Sequence, residues 1–496
     1  MTEPLFFFPT HLDPESERPL YRQIYDLVRD AILDGRVTRG QRLASTRALA
    51  EELGVSRNTV LEAFDQLIAE GYLTSRVGAG TFVAEELPEE LLAVTSAGQS
   101  REAGSSPAVS SRGEVFRRWS KTARTRADGA FAVGRPALDR FPWKTWSRLS
   151  RRVHREIAPE RLDYGDPMGF RPLREALARY LGSVRGLDCT AEQIVVVRGS
   201  QQGLDLAARA LLDEGDRAWI EDPGYLGARA ALEGAGARLV AVPVDGEGLS
   251  VAEGRRLGRG ARLAYVTPSH QYPLGVTLSL GRRFELLEWA RRNDAWLIED
   301  DYDSEYRFAG RPLAPLAALD GGRNVVYIGT LSKALFPALR IGYMVVPRGL
   351  VDLFAGLRYT SDRQAGFIEQ ALVTEFLTGG YFGRHVRRMR TLYRHRQEVL
   401  ADALGERLPE VIELRLASTG LHAVGELARG WDDCEAAERA DLAGVNVRPL
   451  SAYCLERRMP PALLFGFAGF PDRELVRGVD RLSGALGKAP SDRPSS

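Results

Sequence analysis

The chain has 496 residues, 44% of them hydrophobic and 27% charged, with a formal net charge of +1. That length is enough for two or three domains, and the near-neutral charge excludes a chain that is basic throughout while leaving room for a local basic patch. No run of about 18 apolar residues is present, no basic-then-apolar leader opens the chain, and Cys189, Cys434 and Cys454 lack disulfide-frame or metal spacing, so a cytoplasmic protein with no membrane association and no metal site is expected.

Lysine is rare. Lys121, Lys144, Lys333 and Lys488 are the four in the chain, against an abundance of arginine. Arginine cannot lose its proton in a protein, so each retained lysine raises the question of amine chemistry.

In chain order, Leu20 to Leu33 places Leu20, Ile24, Leu27, Val28, Ala31 and Ile32 on one helical face, and Gly35 is a plausible stop. Thr46 to Leu53 reads as a short helix. Gly54-Val55 turns, and Ser56 caps a third helix through Ala69 with a buried face of Val60, Ala63, Phe64, Leu67 and Ile68. Gly71 to Val83 then reads as a glycine-tipped two-stranded hairpin, a wing. A helix-turn-helix followed by a wing points to DNA; the alternative is a small helical dimerisation module with a solvated polar face. Residues 17–85 carry slightly more acidic than basic side chains, so contact with DNA rests on a few placed groups: Arg47, Ser56, Arg57, Asn58, Thr59 and Arg76. On Pro19-Leu20-Tyr21, Arg42-Leu43-Ala44-Ser45-Thr46-Arg47, Leu53-Gly54-Val55-Ser56-Arg57-Asn58-Thr59-Val60 and Glu70-Gly71-Tyr72-Leu73, the segment resembles the GntR superfamily of winged-helix regulators. That family usually has Pro where Ala44 stands.

Residues 86–126, rich in Ala, Ser, Gly, Glu and Pro, read as a flexible linker. Residues 127–488 alternate strand-length apolar runs with amphipathic stretches. The runs are Ile194–Val197, Leu263–Val266, Trp296–Ile298 and Val325–Ile328; the helices include Gln201–Leu212 and Arg282–Arg292. Continuous apolar runs suit strands buried on both faces of a mainly parallel sheet, and ligands of such sheets sit beyond the carboxyl ends of the strands.

Five motifs fall at those ends. Arg198-Gly199-Ser200-Gln201 joins a strand to a helix whose N-terminus suits a phosphate. Asp222-Pro223-Gly224-Tyr225 offers an aromatic face for a planar ring. Thr267 to Gly275 includes His270, as easily a packing residue as a functional one. Glu299-Asp300-Asp301-Tyr302-Asp303 offers a carboxylate for a pyridinium nitrogen, or else an acidic loop or an all-carboxylate metal site. Gly329 to Gly342 offers Thr330, Ser332, Lys333 and Arg340: an amine for a Schiff base and hydroxyl and guanidinium groups for a phosphate.

Together these motifs resemble fold-type I aminotransferases, and the whole chain resembles the MocR-type regulators, a branch of the GntR superfamily. The resemblance implies a mainly α winged helix joined to an α/β fold-type I domain with a mainly parallel sheet, pyridoxal 5′-phosphate as cofactor, and a homodimer. It implies that Lys333 carries the cofactor's aldehyde, Asp300 its ring nitrogen, Tyr302 its phenolic oxygen and Tyr225 its ring face, with Ser200, Gln201, Thr330 and Arg340 at its phosphate. Two positions depart from aminotransferases. Tyr272 stands where Asn precedes the matched proline, and Leu464 stands where an Arg grips the substrate carboxylate, with Arg448, Arg457 and Arg458 nearby.

The expected protein is a regulator that binds operator DNA under the control of pyridoxal phosphate itself, or of an amine reacting with it. The alternatives are a working aminotransferase with an accessory DNA-binding domain, and a regulator whose large domain is only a scaffold.

Overall fold

The computed structural model describes residues 12–16, 18–76, 78–88, 108–123, 129–308, 310 and 313–487. The chain divides into two compact units, one ending at Ala108 and the other starting at Val109.

The first unit has helices Leu20–Leu33, Thr46–Leu53 and Arg57–Ala69, then β1 (Leu73–Arg76) and β2 (Gly80–Val83). Its local signals account for its elements. Ser45 Oγ accepts from the Ala48 N–H and Ser56 Oγ from the Thr59 N–H, each at 3.2 Å, so both helices of the turn are capped by hydroxyls. Gly54 closes the second helix in the left-handed region. Ile24, Val28, Ala31, Val60, Phe64 and Leu67 form one core with Leu73 and Val83 of the hairpin. Ile68 and Leu27, expected in that core, are only half-buried.

The second unit is built on an eight-stranded sheet in the order β3 (Ile194–Val197), β10 (Gly342–Val345), β9 (Val325–Thr330), β8 (Trp296–Asp301), β7 (Ala261–Val266), β4 (Arg217–Asp222), β5 (Arg238–Asp245), β6 (Gly248–Leu249). Strands β5, β4, β7, β8 and β9 are mutually parallel, and β10 runs against both of its neighbours. Alternate residues of β3 enter different cores: Ile194 and Val196 join one, Val195 and Val197 the other. Val325 and Tyr327 divide from Val326 and Ile328 in the same way. Both faces of the sheet are covered, which is why these strands are continuous apolar runs. A smaller antiparallel sheet has the order β11 (Ile412–Arg415), β12 (His422–Leu427), β14 (Ala462–Gly466), β13 (Arg448–Pro449).

The region read as a linker departs from expectation. Ser111–Ala123 is a helix that belongs to the second unit and packs on helix Leu226–Gly234. Trp119 Nε1 donates to Glu233 Oε2 at 3.0 Å, and the Arg229 guanidinium lies over the Trp119 ring. The polar composition that suggested flexibility masks a few anchoring side chains, Val115 and Trp119 among them. Residues 89–107 and 124–126 of that segment, the chain end after Gly487 and the Lys121 side chain lie outside the described residues. Among the described residues no helix is long and apolar enough to cross a membrane.

Candidate functional site

Because β4, β7, β8 and β9 are parallel, their carboxyl ends share one edge of the sheet, and the motifs that follow them converge there. They line a cavity of about 240 Å³ with Ser200, Tyr225, Tyr265, Asp300, Tyr302 and Lys333 in its wall.

Lys333 reaches back to the segment before the sheet, and its Nζ donates to the Gly134 carbonyl at 2.9 Å. Gly134 has a φ of +75°, and a Cβ there would lie 2.6 Å from Nζ, so only glycine allows this approach. Burial pushes the Lys333 amine below its ordinary range, against the pull of Asp303 and Asp300. A depressed amine pKa is what a nucleophilic lysine needs.

Asp300, 3% exposed, accepts a hydrogen bond from the Tyr265 hydroxyl on Oδ2 at 3.0 Å, while its Oδ1 is buried without a partner. Burial raises its carboxyl to about 7, opposed by the Tyr265 bond and reinforced by Asp301 and Asp303. A buried carboxylate with one bare oxygen is costly unless a cation meets it. The Ser332 hydroxyl, beside Lys333, is likewise buried and unpartnered. These two orphaned groups, with the depressed amine, fit a ligand that brings a ring cation and an anionic group to the cavity.

The three acids beside Asp300 go separate ways. Glu299 accepts from the Leu316 and Ala317 N–H groups, Asp301 from Arg185 and the Tyr327 hydroxyl, and Asp303 pairs with His270 Nδ1 at 2.9 Å. They do not share the point an all-carboxylate metal site requires. His270 is buried, and its Nδ1 also lies 3.1 Å from the Tyr302 hydroxyl.

At the turn after β3, Gly199 has a φ of +96° and precedes helix Ser200–Leu211, whose first N–H groups have no intrahelical partners. The Arg340 guanidinium lies 3.3 Å from where a Gly199 Cβ would stand, and its Nη2 donates to the Arg198 carbonyl at 2.7 Å. Thr330 ends β9, with Oγ1 accepting from the Ser332 N–H at 3.2 Å. Gln201 differs from expectation. Its amide donates to the Gly227 carbonyl and its Oε1 accepts from the Tyr225 hydroxyl at 3.4 Å, so its side chain braces Tyr225 and only its backbone N–H is left for an anion.

Sequence reading missed Gly134, Tyr265, Leu421 and His422 in this cavity. Tyr265 carried a usable signal, since a tyrosine within a buried strand needs a partner for its hydroxyl. His422 carried none; it arrives on β12, from the smaller sheet. Tyr272 lines the cavity too, with its hydroxyl 3.1 Å from that of Tyr453. Leu464 is fully buried among Val424, Leu450, Tyr453 and Ala462, and β13 places Arg448 opposite it.

In the first unit, Arg47, Ser56, Arg57, Asn58 and Arg76 are exposed and Thr59 half-buried. The Ser56 and Thr59 hydroxyls bond each other at 2.8 Å, which leaves Arg57 and Asn58 as the outward pair at the helix start. The Arg76 guanidinium lies 4.9 Å from the Phe82 ring centroid on the wing. Arg42, exposed and bridged to Phe82 through the backbone, adds a basic group beside the wing.

Comparison with known proteins bears on both units. Residues 20–83 match the family of bacterial regulatory proteins of gntR type, and residues 131–482 match class I and II aminotransferases. The chain is 39% identical to the "Probable rhizopine catabolism regulatory protein MocR" of Rhizobium meliloti, across 98% of each chain. It is 34% identical to the pyridoxine biosynthesis transcriptional regulator PdxR of Corynebacterium glutamicum, across 95% of this chain and 96% of that one. Among solved structures, the multiple substrate aminotransferase of Thermococcus profundus superposes with a TM-score of 0.68 at 30% identity, covering 76% of this chain and 97% of the enzyme.

Proposed function

The chain belongs to the MocR-type regulators, in which a GntR-family winged helix is joined to a class I and II aminotransferase domain, and on that premise we propose that its DNA binding responds to pyridoxal 5′-phosphate held in the Lys333 cavity. When bound, this cofactor supplies an aldehyde reactive toward amines and a ring nitrogen able to carry positive charge. Lys333 presents an amine whose proton burial makes easier to lose. Asp300, held by Tyr265, would pair with the ring nitrogen and hold a proton on it. Tyr225 would cover the ring, Tyr302 would hold the phenolic oxygen, and Ser200, Thr330, Arg340 and the first N–H groups of helix Ser200–Leu211 would hold the phosphate. The observation that carries the reading is the buried, unpartnered Asp300 Oδ1 in a wall shared with Lys333.

The protein acts as a cytoplasmic homodimer on double-stranded operator DNA, with Arg57 and Asn58 at base edges and Arg47 and Arg76 at phosphates. Cofactor shifts the DNA-bound state only as far as its affinity differs between the two conformations. The relative from Corynebacterium glutamicum, named for pyridoxine biosynthesis, supports sensing of the cofactor itself; an amine reacting with the cofactor is the second effector. A working aminotransferase is the rival reading, favoured by the enzyme of the same fold and opposed by Leu464.

The test is a titration of pyridoxal phosphate into cofactor-stripped protein, followed by mobility shift on the DNA upstream of its own gene. A change in affinity or complex mobility with cofactor alone is the expected result. DNA binding indifferent to cofactor would sink the vitamer reading, and turnover of an amino donor with a keto acid would favour the enzyme.

A further inference from the structure

His270 and Asp303 lie beside Tyr302 at the Lys333 cavity, and each is 1% exposed. His270 Nδ1 is 2.9 Å from Asp303 Oδ2, 3.1 Å from Asp303 Oδ1 and 3.1 Å from the Tyr302 hydroxyl. Two glycines hold the ring in place. Gly420 has a φ of +95°, and a Cβ on it would strike His270 Cε1 and stand 2.7 Å from Asp303 Oδ2. Gly275 has a φ of +77°, and a Cβ on it would stand 3.2 Å from His270 Nε2. Only glycine lets the backbone come this close in that conformation. A ring that merely filled space would need no buried carboxylate, whose desolvation is costly unless it is bonded.

The partners fix where the ring hydrogen sits. A carboxylate accepts, so the hydrogen it receives is on Nδ1. Nε2 is buried with no partner among the described residues, and an unmet acceptor is tolerated more readily than an unmet N–H. Both observations give the Nδ1–H form, in which Nδ1 has no lone pair for the Tyr302 proton. Burial pushes the Tyr302 hydroxyl well above its ordinary range, reinforced by Asp303, Tyr272, Asp300 and Glu221, so it keeps that proton. Among the described residues His270 is its one hydrogen-bond partner. Two other titratable groups face this pair. His422 has its ring centroid 5.0 Å from that of His270 and is pushed by burial down to about 3, and the Lys333 amine feels the Asp303 charge.

We propose that Asp303 and His270 are positioning residues for Tyr302: Asp303 keeps the hydrogen on His270 Nδ1, and that hydrogen turns the Tyr302 proton away from His270 and into the cavity, toward the cofactor's phenolic oxygen. The proposal rests on the cofactor being held at Lys333 with Tyr302 at that oxygen. A hydrogen bond to the ionised phenolic oxygen favours the ionised form. The proton shared between that oxygen and the Lys333 nitrogen is then lost at lower pH. Reversing the imidazole turns the Tyr302 proton back to Nδ1 and moves that loss to higher pH.

Cofactor loading of the full chain is scored first, from its visible absorption band. The pH midpoint of the band is then measured in the parent, in Tyr302→Phe, and with Asp303→Asn made in each of these two backgrounds. The carboxamide of Asp303→Asn can donate to Nδ1 and so reverses the imidazole. Loss of the Asp303 charge beside Lys333 lowers the midpoint in both backgrounds alike, so the difference between them isolates the path through Tyr302. That difference is expected to be an upward shift of about one pH unit, a tenfold change in proton affinity. His270→Phe removes the directing hydrogen without removing a carboxylate. It is expected to raise the midpoint in the parent and not in Tyr302→Phe, and it reads the same path if Asp303→Asn does not fold. A midpoint that shifts equally in the two backgrounds, or in neither, overturns this proposal and leaves the cofactor reading standing. A parent chain that does not load fails both. A Tyr302→Phe midpoint equal to the parent's removes Tyr302 from the phenolic oxygen, and the proposal with it.

Discussion

The two units build their sites in opposite ways. The winged helix places the groups proposed to contact DNA on one short stretch, Ser56 to Thr59, with Arg47 and Arg76 close by in sequence, and leaves all but Thr59 exposed on a surface whose caps and core are local. The large unit assembles its cavity from Gly134 to His422, residues nearly three hundred positions apart, and buries Tyr265, Asp300, Asp303 and His422 there while Lys333, Tyr225 and Tyr302 are half-buried. Exposed sites tolerate substitution because water solvates whatever remains. Buried sites do not, because each polar group depends on a specific partner. The two functions are therefore expected to be separable by mutation, and the cofactor site to respond far more strongly to pH.

The largest expected effect is from Lys333→Ala. It removes the amine proposed to anchor the cofactor, and cofactor affinity should fall by on the order of a hundredfold or more, roughly 3 kcal/mol, with loss of the visible band. DNA binding by the cofactor-free variant should equal that of the cofactor-free parent. A variant that loses DNA binding without cofactor would show the units to be coupled through this residue.

Arg57→Ala is the converse. It should cost about 1–3 kcal/mol in operator affinity and relax the preference at the base it reads, with cofactor spectrum and affinity unchanged. Arg47→Ala should instead weaken all sequences alike and lower the salt slope by about 1. Titration against specific and scrambled DNA at several salt concentrations separates the two.

The third prediction concerns pH. Burial raises Glu221, Glu299 and Asp300 each to about 7. Between about pH 4 and 7 the unfolded chain has these groups ionised while the folded protein keeps them protonated. The unfolded state then binds fewer protons, so stability falls as pH rises through this window, by about 1.4 kcal/mol per pH unit for each group. Urea unfolding of the cofactor-free large unit should show this decline, and Asp300→Asn should flatten it while weakening cofactor binding. Cofactor should flatten it as well, by giving Asp300 a cation. An equally steep decline in Asp300→Asn would assign the slope to Glu221, Glu299 and Glu305, which burial also raises to about 7.

Much of this architecture was legible in the chain. The three helices and wing followed from helical periodicity, hydroxyl caps and glycine stops, all local signals. Strands β3, β7, β8 and β9 were visible as apolar runs because both faces of the sheet are covered. The helix Ser111–Ala123 was not, because its hold on helix Leu226–Gly234 rests on a few side chains, Trp119 and Arg229 chief among them, in an otherwise polar segment.

The sequence by itself determined which residue types could serve the chemistry: one of only four lysines just past a strand end, an acid at a strand end, a glycine turn ahead of a helix. Only the tertiary structure decided which oxygen of Asp300 is left bare, that Gln201 braces Tyr225, and that Tyr265, Gly134 and His422 close the cavity. The reason is physical. Residue type and spacing set what a side chain can do, but burial and partners are properties of neighbours brought together across the fold, and those set charge, acidity and selectivity.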